Sequence, residues 1–196
     1  MKQKVIFSII FILTTTNCFS QDFHQKTIGL INLERKNNDL PPLKYNEKLE
    51  DAAQFHAEWM GKIGIMTHLQ GEMPRDFIIF QNCTHHPFNR IVKYGYLDPK
   101  NCYNVIHSSK GISIKLNPRI NDMQGEVIAH AKGYSSKLNI NQQILLIVSG
   151  WMKSPGHKKE LLHNSYKEAG VGYAKNKNGS FWCVNFGNNY VTMERN

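Results

Sequence analysis

The sequence predicts a single domain of the α+β class. Residues 27–36 and 47–63 carry apolar side chains at helical spacing. The chain closes on two runs typical of strands, 169–174 and 180–186, joined by a turn rich in residues that tolerate positive φ. Because helices cluster first and an antiparallel pair ends the chain, α+β is the class that the order of elements favours.

Boundary signals support these elements and suggest others. Asn46 is expected to cap the second helix. Residues 87–96 predict a short helix that begins at proline and ends on glycine, and Asn139 or Asn141 caps a strongly apolar helix. Residues 97–120 contain few periodic runs, and we expect a hairpin or another ordered excursion there.

The first twenty residues predict a secretory signal peptide. A basic start is followed by the apolar run Val5–Leu13 and then by small polar residues. The apolar run is too short to anchor the chain in a bilayer. Cleavage after Ser20 would leave a secreted or periplasmic domain, residues 21–196, with no transmembrane segment. The alternative is a lipid-modified N-terminus at Cys18.

The charge balance is basic. The chain carries a formal charge of +9, and the first twenty residues hold two lysines and no acidic residue, so the remainder carries +7. Such a surface can bind anionic polymers or membranes, but no long basic run is present, and solubility is the simpler explanation. The aromatic residues fall at spacings typical of a core, so we expect no nucleic acid partner.

Three cysteines remain after the predicted cleavage. Cys83 and Cys102 lie in one loop-rich region, and export permits a disulfide, so we expect this pair to be bridged. Cys183 alternates within a predicted strand and is interpreted as a buried free thiol.

One histidine stands at the start of a predicted helix. Ser154 is interpreted as the N-cap and Pro155 as the first helical residue, which places His157 in the first turn. The positive helix end disfavours imidazolium, so His157 should stay neutral. A neutral, positioned imidazole is what a metal site or a general base requires.

Glu126 is the second conspicuous polar residue. It precedes two β-branched residues and, in this interpretation, a buried helix, so it needs a partner if it is buried. His68, just after the second helix, and His157 are natural partners through a hydrogen bond, a shared cation or a water. The alternatives are a solvent-facing Glu126 and, for His56, an ordinary core histidine. No nucleophile motif or phosphate-binding loop is visible.

Eight segments together resemble a known family, in order and over nearly the whole chain after the signal. They are Leu30–Leu43, Leu49–Met60, Met66–His68, Pro87–Tyr96, Gly125–Ala129, Trp151–Leu162, Glu168–Tyr173 and Phe181–Gly187. These segments are similar to motifs of the CAP superfamily, which comprises cysteine-rich secretory proteins, antigen 5 and pathogenesis-related 1 proteins and is also called the SCP domain. The bacterial branch, with its Ser-Pro-Gly-His block, is the most similar.

The resemblance implies a three-layer α-β-α sandwich with a central antiparallel sheet. It also implies an open cleft lined by His and Glu residues, which holds a divalent metal such as zinc in some relatives. His68 and Glu126 match directly, and His157 and Ser154 match the bacterial pattern. The family's second glutamate corresponds to Ser154 and its strand histidine to Phe181, so the two-His, two-Glu set is not reproduced.

Three functions are compatible with these observations. The leading one is a secreted, monomeric binding module whose cleft residues His68, Glu126, His157 and Ser154 hold a lipid, glycan or peptide, without enzymatic activity. The second is a metal-assisted hydrolase, in which His68 and His157 hold zinc and Glu126 is the general base. The third is a structural or partner-binding protein of the cell envelope that uses an insertion around residues 97–120.

Overall fold

The computed structural model describes residues 23–71, 84–98, 103–108, 111–116 and 124–188. Over these residues a four-stranded sheet lies between two helical layers, which is the expected α+β sandwich. The helices are α1 (23–36), α2 (Glu47–Ile63), α3 (Pro87–Lys93), α4 (Ile140–Lys153) and α5 (Pro155–Leu161). The strands are β1 (Lys44–Tyr45), β2 (Tyr103–Ser108), β3 (Gly111–Leu116), β4 (Gln124–Ala131), β5 (Glu168–Asn176) and β6 (Gly179–Gly187).

The four-stranded sheet has the order β1-β5-β6-β4. Strand β6 is antiparallel to both of its neighbours, β4 and β5, as expected. The two-residue β1 pairs in parallel with β5, with Lys44 opposite Glu168. The sheet is therefore mixed, because the connector before α2 joins it alongside the start of β5. Strands β2 and β3 pair with each other in a separate hairpin, one of the two arrangements expected for residues 97–120.

Strand β6 is central, and its alternate side chains face opposite helical layers. Phe181 and Cys183 pack in the apolar cluster formed with α2. Trp182 and Val184 pack in the larger cluster formed with α1 and α4. This alternation follows from the two-residue period of a strand. Because all residues of β6 are buried, the strand separates the two cores.

Helix α2 has the capping that the sequence predicts. The Asn46 side chain accepts hydrogen bonds from the backbone N–H groups of Lys48 at 3.0 Å and Leu49 at 3.4 Å. The helix ends at Gly64, whose φ of 72° lies in the left-handed region that favours glycine. Both predicted bounds of α2 are confirmed.

Two elements differ from the expectation. Helix α1 includes residue 23, four residues before Thr27, where the sequence pattern starts it; the Thr27 hydroxyl donates to the carbonyl of Phe23, whose ring packs near Trp182. Strand β4 was not predicted. Glu126 lies within this strand, and the helix expected after it is α4.

Some predictions fall outside the described residues. These are the signal peptide over residues 1–20 and the disulfide between Cys83 and Cys102. Cys183 is a buried free thiol, as predicted. Among the described residues, no helix is both long enough and apolar enough to cross a membrane.

Candidate functional site

Glu126 lies near the start of β4, at one edge of the sheet, with Asn185 of β6 opposite it. Two residues later, Ile128 packs in the cluster formed with α2. Glu126 shares that face of the strand, and its side chain is only 1% exposed. The interpretation of Glu126 as solvent-facing is therefore wrong, and its charge has to be matched inside the protein.

Both carboxylate oxygens of Glu126 have partners. Arg90 Nη2 donates to Oε2 at 2.6 Å, and His68 Nδ1 lies 2.9 Å from Oε1. The Cys183 thiol donates to Oε2 at 3.3 Å. With its amide oriented to satisfy both ends, Asn185 also donates to Oε2, at 3.0 Å. The carboxylate is thus held from four sides.

These partners keep Glu126 ionised. Burial alone would raise the pKa of the carboxyl, but Arg90, His68 and His56 together lower this pKa to about 2. An ionised carboxylate only accepts hydrogen bonds, so Nδ1 of His68 carries the proton that lies between them. When His68 is neutral, its Nε2 therefore carries a lone pair, and its side chain is 45% exposed. Glu126 orients this ring for a partner in solution.

Arg90 connects α3 to the loop that carries His68. The residue is fully buried, and its guanidinium donates to the carbonyls of Thr84 at 3.0 Å and His85 at 3.2 Å. It also donates to the carbonyl of His68 at 3.2 Å, in addition to Glu126. Arg90 therefore positions both the backbone of His68 and the carboxylate that holds its ring.

His56 is the core histidine that the sequence suggests. It is fully buried, its Nε2 donates to the carbonyl of Thr67 at 2.8 Å, and its Nδ1 lies 3.0 Å from Gln70 Oε1. Burial lowers its pKa, opposed by the nearby charge of Glu126. Thr67 and Gln70 lie on either side of His68 in the chain, so the hydrogen bonds of His56 hold the His68 loop against α2.

We expect the stability of the protein to fall in acid through Glu126. Its pKa is about 2 when folded against an ordinary 4.5, so its contribution is present above pH 4.5 and is lost as the pH falls toward 2. The loss is on the order of 3 kcal/mol in the free energy of unfolding. Urea unfolding of wild type and Glu126→Gln from pH 6 to pH 2.5 measures it. Glu126→Gln should flatten the decline, whereas the exposed control Glu58→Gln should not; equal slopes in all three proteins would contradict this assignment.

His157 enters the site from the other helical layer. As predicted, Ser154 is the N-cap of α5, Pro155 is its first residue and His157 lies in its first turn, but the Ser154 side chain makes no capping hydrogen bond. Burial and then the neighbouring His68 imidazole lower the pKa of His157, and Glu160 opposes them. The expected direction is correct, but its main causes are burial and a second histidine rather than the helix end.

An open pocket of about 590 Å³ brings the two layers together. It is lined by all four cleft residues named from the sequence: His68, Glu126, Ser154 and His157. Because β4 lies at the edge of the sheet, the loop after α2 and the start of α5 can reach the same space from opposite faces. The pocket is therefore assembled from segments about ninety positions apart in the chain.

One wall of the pocket was missed by the sequence analysis. This wall consists of Glu160, His163 and Tyr166. The Tyr166 hydroxyl donates a hydrogen bond to Glu160 Oε2 at 2.8 Å. The Tyr166 ring stacks on the His163 ring, with 4.5 Å between the ring centroids. Gly125 packs so closely here that a Cβ atom would overlap Tyr166 and Glu160. The signal that was available is helical spacing, since Glu160 lies three residues after His157.

The described side chains fit a zinc ion only in part. His68 Nε2 and His157 supply two imidazoles, but both oxygens of Glu126 are engaged by protein groups. Over the described ranges, no three His, Cys, Asp or Glu side chains are grouped so as to hold a metal ion. Catalytic zinc sites use three protein ligands, so no chemical step is derived through a metal.

The sequence profile of the cysteine-rich secretory protein family matches residues 28–186. This range contains the whole described sandwich apart from the first turn of α1 and the last residue of β6. It includes the four cleft residues and Arg90. No protein with a curated description matches the sequence.

Two solved structures share the fold. An outer surface protein from Borrelia burgdorferi superposes with a TM-score of 0.53 at 22% identity, covering 82% of this chain and 88% of that one. An extracellular protein containing an SCP domain from Bacillus anthracis superposes with a TM-score of 0.54 at 20% identity, covering 86% of this chain. This chain spans only 41% of the Bacillus anthracis chain. At 22% and 20% identity, these superpositions show a shared fold and nothing further.

Proposed function

The chain belongs to the cysteine-rich secretory protein family, and from this premise we propose that it is a secreted binding module. Its cleft holds a small lipid, glycan or peptide ligand against His68, Ser154 and His157, with Glu126 as a positioning residue. Export is supported by the signal-like first twenty residues. The two structural neighbours, described as an outer surface protein and an extracellular protein, are in keeping with it.

One observation carries the proposal: the buried carboxylate at the pocket floor holds an exposed imidazole in a fixed orientation. Both carboxylate oxygens of Glu126 accept hydrogen bonds from protein groups, and His68 is one of the donors. Apolar side chains of the same volume often stabilise a core as well as a buried ion pair does, so stability alone does not require this arrangement. The arrangement instead presents His68 Nε2 to the pocket. His157 adds a second polar group there, and the Ser154 hydroxyl, which makes no capping hydrogen bond, adds a third. Polar groups held at fixed positions in a cleft orient a ligand, and this cleft is lined largely by polar side chains.

A hydrolase is less well supported by the same geometry. In that mechanism Glu126 would take a proton from a bound water. A carboxyl with a pKa of about 2 and no unengaged oxygen is a weak base with nowhere to receive the proton. A zinc ion in this cleft would have His68 and His157 as its protein ligands, with the remaining positions left to water or to the bound ligand.

Blocking the pocket tests the proposal. Gly156 lines the pocket, and nothing lies within 4 Å of the position that its Cβ would take, so we chose Gly156→Phe to add a ring to the pocket lining. The probes are palmitate, an N-acetylglucosamine trisaccharide and trialanine, one for each ligand class, measured by calorimetric titration. We expect at least one probe to bind. We expect Gly156→Phe to lower the affinity for that probe by about tenfold or more.

The matched control is Gly150→Phe. Gly150 lies on α4, is exposed, has nothing within 4 Å of its Cβ position and is not part of the pocket lining. This variant should bind the probe like wild type. Binding that survives in Gly156→Phe, or the failure of all three probes to bind wild type, would count against the proposed cleft.

A further inference from the structure

One end of the sandwich combines exposed lysines with exposed apolar side chains. We call it the tip, and it consists of residues 61–66 at and after the end of α2, residues 130–134 at the end of β4, and residues 174–180 at the β5–β6 turn. Its lysines are Lys62, Lys132, Lys175 and Lys177, all exposed. The tip lies at the end of β4 opposite to Glu126.

Direct contacts hold the three tip segments together. The backbone carbonyl of Asn178, in the turn, accepts a hydrogen bond from His130 Nε2 at 3.0 Å. The Asn178 side chain packs against Gly64, and the Asn176 amide donates to the carbonyl of Gly61. The tip is therefore one surface built on the sheet and α2.

Four large apolar side chains of the tip are exposed. Ile65 is 59% exposed, Met66 48%, Ile63 40% and Tyr134 79%. Single exposed apolar residues are ordinary, but a group of them beside a charged patch is typical of an interaction site. Solubility accounts for the lysines alone and leaves the apolar group without a role.

The charge of the tip is one-sided. Residues 61–66, 130–134 and 174–180 contain four lysines and no Asp or Glu. Glu58, one turn earlier on α2, is the adjoining carboxylate, and it accepts a hydrogen bond from Gln54 at 2.8 Å. The tip thus stays positive after Glu58 is counted. A positive surface with protruding apolar side chains fits an anionic lipid bilayer, which attracts lysines and takes up apolar groups at the level of its head groups.

We propose that the tip docks on the surface of an anionic lipid bilayer. The lysines contact the head groups, while Ile65 and Met66 insert between them. Along β4, Ala131 in the tip lies about 17 Å from Glu126, whereas Met66 is only two residues before His68.

Vesicle sedimentation tests the proposal. Purified protein is mixed with vesicles of phosphatidylglycerol and phosphatidylcholine, or of phosphatidylcholine alone, at about 50 mM and about 500 mM salt. We expect binding to the anionic vesicles only, with a loss at high salt because exposed charges are then screened. Lys175→Gln with Lys177→Gln should weaken binding about tenfold, and Ile65→Ser with Met66→Ser should weaken it by a similar factor.

Matched controls distinguish the effect of the tip residues from the effect of removing lysines or apolar residues elsewhere on the surface. Lys36→Gln with Lys44→Gln removes two exposed lysines from the other end of the sheet, and Leu145→Ser with Leu146→Ser removes two exposed apolar residues from α4. Both control pairs should bind vesicles like wild type. Equal losses in tip and control variants would overturn the proposal. So would undiminished binding in the Ile65 and Met66 variant, because the lysines would then be contacting any polyanion.

Discussion

Replacing Arg90 with methionine is expected to lower the free energy of unfolding by about 3–5 kcal/mol, because it leaves the Glu126 carboxylate buried without its cation. The side chains of Arg90 and Glu126 are both buried, and Arg90 Nη2 lies 2.6 Å from Glu126 Oε2. The variant also removes the hydrogen bonds from the guanidinium to the carbonyls of Thr84, His85 and His68. Urea unfolding at pH 7 measures the loss.

Two further variants identify the origin of that loss. Lys93→Met also removes a cation from α3, but Lys93 is exposed and its ammonium lies over the Phe55 ring at 4.2 Å, so it should cost less than about 1 kcal/mol. The double variant Arg90→Met with Glu126→Gln no longer buries an unmatched charge. It should lose about 1–3 kcal/mol less than the sum of the single losses. Additive losses would mean that the pair is not coupled.

Gly170→Ala is expected to destabilise the protein by about 3 kcal/mol or more, because no side chain fits between β5 and α2 at this position. A Cβ atom at Gly170 would overlap backbone atoms of Leu49 and Glu50. Backbone atoms within a helix cannot turn aside as the end of a flexible side chain can, so α2 would have to move off the sheet. Since the His68 loop follows α2, the pocket should be disturbed as well. Thermal unfolding, with probe binding as a second readout, measures both effects.

Gly150→Ala is the matched control for this prediction. Gly150 lies within α4, and nothing lies within 4 Å of the position that its Cβ would take. Alanine there should stabilise the protein by about 0.5–1 kcal/mol, because glycine loses more backbone entropy in a helix. If Gly170→Ala and Gly150→Ala had similar effects, the close approach of α2 to β5 would not be a determinant of the fold.

Local signals were sufficient where an element carries its own boundaries. Asn46 caps α2, and Ser154 with Pro155 starts α5, so both predicted starts are confirmed. The expectation that a buried Glu126 needs a partner suggested His68 or His157, and the family resemblance then placed both in one cleft. The structure puts His68 Nδ1 2.9 Å from Glu126 Oε1, across 58 positions. Local pattern did not choose between the two histidines.

The remaining parts depend on contacts that no local pattern encodes. Strand β4 was missed because it is buried on both faces over Gly125–Ile128, so it lacks the alternation of apolar and polar residues that marks a half-exposed strand. Arg90 was missed because its partner Glu126 lies 36 residues away. Its one local signal was a charged residue between the apolar positions of a short helix.

The central claim is that His68 and His157, from opposite layers of the sandwich, face one pocket. The pKa of the His157 imidazole, measured by NMR titration in the presence of a chelator, tests this claim most directly. We expect His157 to titrate below its ordinary value of 6.5, because burial and the His68 ring both lower its pKa. His68→Gln should raise the pKa of His157, and the control His130→Gln should leave it unchanged. A His157 pKa that does not respond to His68→Gln would mean that the two rings occupy separate environments, and the proposed cleft would not exist.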